Sequence, residues 1–465
     1  MKALAGILAA AVVVLALGWV VSTRGGVTAD QVALIVRGEL ERSRVGPTSR
    51  PTPTAAETGA SPQADAIAAL EERVGEILWR LPAPRFDSYH LAEAPADAWP
   101  MFRGNHQLTG VSATTLPDQP DVLWRYDAGE AIESSAAIVG GLVFFGAFDG
   151  KFHCVDLESG EPRWVRTFRK DEFADPEDRP TTAPARVEFV PAIYSSPAVA
   201  EGRVFFGDEM GNFYALDAWT GRTLWKFEAQ GDIRSSPNVI GETVMIGSGD
   251  GHVYNLDVAT GELVWKFATD DQIRCVPGTA DGLTYIAGCD GFIRGIDIAT
   301  GEQMMSLPIG SQMGASPAMH RGKLFAGIYG NAVIGVDLRD PKVIWAYDPP
   351  RKDFPFEASA AIARDRIVIG GKDKAVHCID LETGAPIWQF ETGAAVISSP
   401  IVVGDRAFIG SGDGKLYALD LQSGELKWSF ETGAAVTASP AAALGRLIVG
   451  DVNGILYCFG ERGAR

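Results

Sequence analysis

The chain has 465 residues and a formal net charge of −18, with 59 acidic and 41 basic side chains. That balance excludes the basic stripe a nucleic-acid partner needs and favours neutral or cationic partners. With 53 Gly, 5 Cys and an apolar fraction of 46%, the composition is globular, and length alone would allow two or three domains.

Residues 3–21 form an unbroken apolar run between Lys2 and Arg24, long enough to cross a bilayer. A cleaved signal peptide is the alternative, but the run exceeds a usual h-region and no clear Ala-x-Ala site follows. The first cysteine is Cys154, which leaves no lipidation site beside the run. The reading is a single-pass signal anchor over residues 1–24, with the bulk of the chain extracytoplasmic and, in a bacterium, periplasmic. Residues 25–98 then read as juxtamembrane helices and linker. Apolar residues at helical spacing mark 30–43, among them Val32, Ile35 and Leu40. Residues 46–63 are rich in Pro, Thr, Ala and Ser and read as a flexible tether. Ile67, Leu70, Val74, Ile77 and Leu78 give 64–81 an amphipathic face that either leads into the next domain or docks a partner.

From Ile132 onward a unit of about 40 residues repeats eight times, a period typical of solenoids and propellers. One copy carries Ser235, Ser236 and Pro237, then Gly241, Asp250-Gly251, Asp257, Thr260-Gly261 and Trp265. Each unit reads as four short strands. In the preceding copy Val204, Phe205 and Phe206, then Phe213, Tyr214 and Leu216, then Leu224, Trp225 and Phe227 are apolar or aromatic runs separated by Gly turns. The recurrent Asp156, Asp217, Asp257, Asp297, Asp337, Asp380 and Asp420 suit turns in which the side chain caps nearby amides. Trp164, Trp225, Trp265, Trp345, Trp388 and Trp428 recur in the fourth strand, where their area suits packing between sheets.

The eighth copy ends at Phe459 without a fourth strand. A spare fourth strand lies ahead of the first copy around Val122, Trp124 and Tyr126. The N-terminal strand is therefore expected to complete the last unit and close a ring, removing the exposed end edges. This gives an all-β fold over residues 99–465, an eight-bladed β-propeller of four-stranded antiparallel blades. A β-solenoid is the competing architecture, but its ends need not complement each other.

The stretch from Ala418 through Asp420, Ser423 and Gly424 to Trp428 resembles the tryptophan-docking motif of pyrroloquinoline quinone (PQQ)-type repeats, as does that from Ala215 to Trp225. Trp99, Pro100, Phe102, Arg103 and Gly104 resemble the leader of PQQ-like propellers. Met305 stands where blade four should have Trp, and Arg339, Asp340 and Pro341 replace the Thr-Gly turn of blade five. No Trp-Asp dipeptide occurs, which disfavours a WD40 array.

Most conspicuous local motifs read as structure. Gly410 to Lys415 looks like a phosphate loop but recurs as Gly247 to Gly251, so it reads as a hairpin turn. The Asp-Gly turns lack a calcium-loop ladder of ligands. His153 and His377 take a strand position held elsewhere by Tyr214, Tyr254 and Tyr417, which points to packing rather than metal binding. Cys154, Cys378 and Cys458 sit at small-residue packing positions. Cys275 and Cys289 fall on opposite arms of one hairpin and could pair in an oxidising compartment. Their register is one residue off, which sends the side chains to opposite faces unless a bulge intervenes.

One position ahead of each first strand does not follow the repeat. It reads Glu133, Tyr194, Arg234, Arg274, Gly314, Glu357, Ile397 and Thr437 around the expected channel mouth. Glu133, Tyr194, Arg234, Arg274 and Glu357 are the candidate partner-binding residues, with Arg234 and Arg274 expected to form a cationic patch for a carboxylate or acidic peptide. Enlarged connections at 169–190 and 349–355 share that face. Solvated or internally paired charge is the bland alternative. The chain resembles the BamB-like branch of PQQ-like propellers. That resemblance implies a non-enzymatic envelope scaffold binding protein or peptide partners in outer-membrane protein assembly. A PQQ-dependent dehydrogenase is the rival, and resemblance to it would imply calcium beside the quinone and often a disulfide between adjacent cysteines. No two cysteines are adjacent here, so neither PQQ nor calcium is expected. A ligand- or polysaccharide-binding sensor is the third reading.

Overall fold

Turn chemistry builds each blade. In blade three, β11 (Asn238–Ile240), β12 (Thr243–Gly247), β13 (His252–Asp257) and β14 (Leu263–Ala268) form an antiparallel meander. Gly241 and Gly251 turn its hairpins at φ of 57° and 80°, a region open to glycine without strain. The Asp257 carboxylate accepts the Ala259 and Thr260 amides at 2.9 and 2.8 Å and the Thr260 hydroxyl at 3.0 Å. Those bonds hold its pKa below the usual range. Burial falls outward: β12 is almost wholly buried, while β14 alternates between exposed and covered residues.

A computed structural model describes residues 95–168, 190–351 and 353–462. The predicted transmembrane segment at 3–21, the helices at 30–43 and 64–81 and the linker lie outside them. Among the described residues no helix is long and apolar enough to cross a membrane. Eight sheets of this meander type make the expected eight-bladed propeller. Closure also follows the sequence reading. Blade eight consists of β31 (Ala441–Ala443), β32 (Arg446–Gly450) and β33 (Ile455–Gly460), and β2 (Asp121–Asp127) pairs antiparallel with β33 as its fourth strand. Trp124 lies opposite Cys458.

The tryptophans stitch blade to blade. Trp124, Trp164, Trp225, Trp265, Trp345 and Trp388 each donate Nε1–H to a carbonyl of the next blade, at Leu157, Ala218, Val258, Ile298, Leu381 and Leu421. Each ring also covers the turn glycine of that blade. A Cβ on Gly221 would lie 2.7 Å from the Trp164 ring, and Gly301 and Gly384 meet Trp265 and Trp345 as closely. The two departures from the repeat fall on one seam. Met305 of blade four faces the seam where Pro341 replaces the glycine, so the missing ring and the missing glycine match. Met305 packs in one cluster with Leu338 instead.

The leader is the feature the repeat does not announce. It hydrogen-bonds to all eight blades near the ends of their inner strands. Trp99 exchanges bonds with Ile138, and Pro100 accepts from Val199. His106 meets Asn238 through its ring and carbonyl. The carbonyls of His106, Gln107, Thr109 and Gly110 then accept from Thr279, Met319, Ile362 and Val402, and Ala96 accepts from Leu444. At its end β1 (Val111–Ser112) runs parallel to β27 (Ile401–Val403). A serine belt stitches the inner strands further: the Ser135, Ser196, Ser316, Ser359 and Ser399 amides each donate to the next blade's Ser hydroxyl at 2.9–3.0 Å.

Candidate functional site

The leader bonds the far ends of the inner strands, so the variable positions stand at the opposite mouth. Arg274 precedes the leader contact at Thr279 by five residues, on the order of 16 Å of extended chain. The mouth residues gather into two clusters. In the first, Arg234 pairs through Nε with Asp232 Oδ2 at 2.8 Å. Its guanidinium lies 4.2 Å from the centre of the Tyr194 ring, a cation–π distance. Tyr194 in turn rests on Phe148, ring centres 4.5 Å apart. Partial burial raises the pKa of the Glu133 carboxyl, and the charge of Arg234 opposes that rise.

The second cluster spans blades four to six. Arg274 is exposed, and its Nε donates to the neutral Gln272 Oε1 at 3.1 Å. Tyr329 lies over Gly314, where a Cβ would come within 2.9 Å of the ring, so a side chain there would displace the exposed tyrosine. Burial, and next the Glu357 carboxylate, raise the Tyr329 pKa, and Arg274 opposes the shift. Glu357 also takes Lys372 Nζ at 2.6 Å. Of the expected joint patch, Arg234 pairs with Asp232, whereas the hydrogen bond that Arg274 makes among the described residues goes to an uncharged partner.

Cys275 and Cys289 are both free, not bridged. Gly278 pairs with Tyr285, and continuing that register puts Cys275 opposite Gly288, one residue short of Cys289. The Cys275 thiol is buried and accepts the Ala287 amide at 3.4 Å, and burial pushes its pKa up to about 12. Cys289 is half-buried beside Arg274, Asp271 and Asp290; burial and the two carboxylates raise its pKa.

The two histidines pack between blades. His153 Nδ1 and the Tyr126 hydroxyl of blade eight lie 3.0 Å apart, as do His377 Nδ1 and the Tyr347 hydroxyl of blade five. His377 Nε2 also meets Asp373 Oδ1 at 3.1 Å. Among the described residues no three His, Cys, Asp or Glu side chains converge as metal ligands. Residues 169–189 of the first enlarged loop lie outside the described residues. In the second, Arg351 ties the loop to the Asp373 carbonyl and to Glu391.

Sequence reasoning missed Arg103. This leader residue is buried, sits at a φ of 63°, and donates from Nη2 to the Ala360 carbonyl at 2.9 Å. Its Nε and Nη1 have no hydrogen-bond partner among the described residues, and burial pushes its pKa down to about 9. Gly110 must be glycine, because a Cβ there would lie 1.9 Å from Nη2. The signal available was a single arginine in a leader with no other basic side chain than His106.

The family described as outer membrane protein assembly factor BamB matches residues 184–348 and 330–463. No curated protein matches the chain in sequence. Among solved structures, BamB from Moraxella catarrhalis is 17% identical, with a TM-score of 0.60, over 74% of this chain and 99% of that one. Quinohemoprotein alcohol dehydrogenase from Comamonas testosteroni is 15% identical, with a TM-score of 0.66, over 84% of each chain. The computationally designed Ika8 protein is 16% identical, with a TM-score of 0.61, over 75% of this chain and 100% of the design. At these identities the likeness is one of fold, and a fold shared by an assembly factor, an oxidoreductase and a design does not fix function.

Proposed function

Because this chain belongs to the family of outer membrane protein assembly factor BamB, we propose that it is a non-enzymatic, extracytoplasmic scaffold for protein or peptide partners in outer-membrane protein assembly. Residues 1–24 tether it to the membrane, residues 25–98 space it away, and the propeller over residues 99–465 presents the mouth to its partner. The observation that carries the reading is the asymmetry of the ring. The leader bonds one end of all eight inner strands, and the other end carries residues that differ from blade to blade. Arg274 is the anchor for a partner carboxylate or acidic segment, since its guanidinium fork suits that geometry and its own partner is uncharged. Tyr329 and Glu357 shape the surface around it, and Glu133, Tyr194 and Arg234 form the other cluster of the same mouth.

That the chain works without PQQ or calcium is part of this proposal, and its sequence has no two adjacent cysteines.

Cross-linking in native membranes, with identification of the captured proteins, tests the reading. Arg274→Ala should reduce captured partner roughly tenfold, the effect of a charged contact worth about 1.5 kcal/mol, with an unchanged thermal midpoint. Arg234→Ala should instead lower the midpoint, because it removes the Asp232 pair and the Tyr194 stack. Equal capture by Arg274→Ala and the unmodified chain would remove Arg274 from the proposal. Reduction of an artificial acceptor by an alcohol with added PQQ and calcium would replace the scaffold with the oxidoreductase reading.

A further inference from the structure

We infer that Arg103 holds a small monovalent anion, of the halide class, inside the ring where the leader crosses the inner strands. Buried charges in folded proteins are compensated by opposite charge, because an isolated ion in a low-dielectric interior costs far more than a buried neutral group. Arg103 is 1% exposed and has no ion pair among the described residues. Its Nη2 is used, on the Ala360 carbonyl at 2.9 Å. Nε and Nη1 have no hydrogen-bond partner among the described residues. A guanidinium only donates, so nothing but an acceptor completes them. The pKa, lowered by burial to about 9, still leaves the group charged at neutral pH.

The other buried arginines give an internal comparison. Arg406 donates from its two terminal nitrogens to the Leu116, Pro117 and Asp118 carbonyls. Arg294 lies against Asp290, Nη1 to Oδ2 at 2.6 Å. Of the three buried arginines among the described residues, Arg103 alone has neither a carboxylate nor a full set of carbonyls.

The leader also sets the class of ligand. Its buried side-chain groups without partners are all donors, since the indole N–H of the fully buried Trp99 has no acceptor among the described residues either. An anion suits such a set, whereas a metal cation would meet like charge. Enclosure sets the size. A Cβ on Gly110 would lie 1.9 Å from Nη2, so the leader's own backbone closes over the guanidinium. A single small ion suits that space better than a peptide carboxylate or a sugar phosphate. The bound ion completes the bonding of the one side chain that ties the leader to blade six through its guanidinium. This inference is independent of the mouth and of the scaffold reading.

Crystals of the purified full chain grown in sodium bromide test the site, because bromide scatters anomalously. An anomalous peak within hydrogen-bond reach of Arg103 Nε or Nη1 is expected. In solution, replacing gluconate by chloride at constant ionic strength should raise the thermal midpoint by about 2 °C, by mass action on the folded state. Arg103→Met should lose that response. Arg406→Met, which removes a buried arginine whose donors are satisfied, should keep the response despite a lower midpoint. Adventitious bromide on the surface only, with none at Arg103, overturns the inference. So does an equal chloride response in Arg103→Met and the parent chain. Should Arg103→Met fail to fold, the bromide map of the parent chain decides alone.

Discussion

His153 carries an imidazole where blades two, three and seven carry Tyr214, Tyr254 and Tyr417. Its ring stacks on Phe145 at 4.8 Å and meets the Tyr126 hydroxyl through Nδ1, while Nε2 has no hydrogen-bond partner among the described residues. Burial therefore pushes its pKa from 6.5 down to about 4, against the opposing pull of Asp149. The unfolded chain takes up this proton near pH 6.5, and the fold does not accept it until about pH 4. Stability from this site is full above pH 6.5 and is lost as the pH falls through that window. The loss between pH 7 and pH 5 should be on the order of 2 kcal/mol. Urea unfolding at the two pH values should show a smaller difference for His153→Tyr than for the parent chain. An identical difference would mean that His153 titrates normally in the fold.

At the scale of the blade, the recurring device is a ring laid over a glycine. Gly221 has a φ of 69° and no room for a Cβ under Trp164, so Gly221→Ala should cost about 2–3 kcal/mol. The blade four–five seam behaves in the opposite sense. Restoring the repeat with Met305→Trp should lower the thermal midpoint, because Pro341 stands at the sequence position of the glycine that the other rings cover, and overpacking costs roughly 1–3 kcal/mol. Adding Pro341→Gly should recover much of that loss, and a double-mutant cycle reads the coupling. A stabilising Met305→Trp on its own would show that the two departures are unrelated. The strands, turns and tryptophan docks were legible in the sequence because a periodic side chain marks each of them. The pairing of Met305 with Pro341 across a seam was not, since each looked like an isolated lapse in its own copy. The mouth was legible only as a position that varies. That Arg234 is satisfied by Asp232 while Arg274, among the described residues, hydrogen-bonds to Gln272 depends on side-chain direction, which spacing does not convey.

For the molecule as a whole, ring closure is non-covalent and rests on several devices. Trp124 docks on blade one over Gly160, and Arg446 of blade eight pairs with Glu158 at 3.0 Å. Arg406 holds the segment entering β2 through the carbonyls of Leu116, Pro117 and Asp118 at 2.8–3.0 Å. Trp124→Ala should therefore destabilise the chain as much as an interior core truncation, about 3–5 kcal/mol in chemical denaturation. A loss below about 1 kcal/mol would show that β2 does not hold the ring. Closure was legible because the eighth copy lacked a strand and a spare one preceded the first. The leader's path was not, because most of its bonds to the blades are made by the backbone, which leaves no residue pattern to read.

The leader's partners also impose an order on the protein's assembly. It is made before every blade, yet Ala96 bonds to Leu444, Ser112 to the Ala442 carbonyl, and β2 to β33, all within the last copy. Residues near 100 must wait about 350 positions of further synthesis before their last bonds can form. At about 5–20 residues per second that wait is tens of seconds. Until then the growing chain carries an unsealed β-edge, and a chaperone that covered it would act in the interval before the C-terminus emerges.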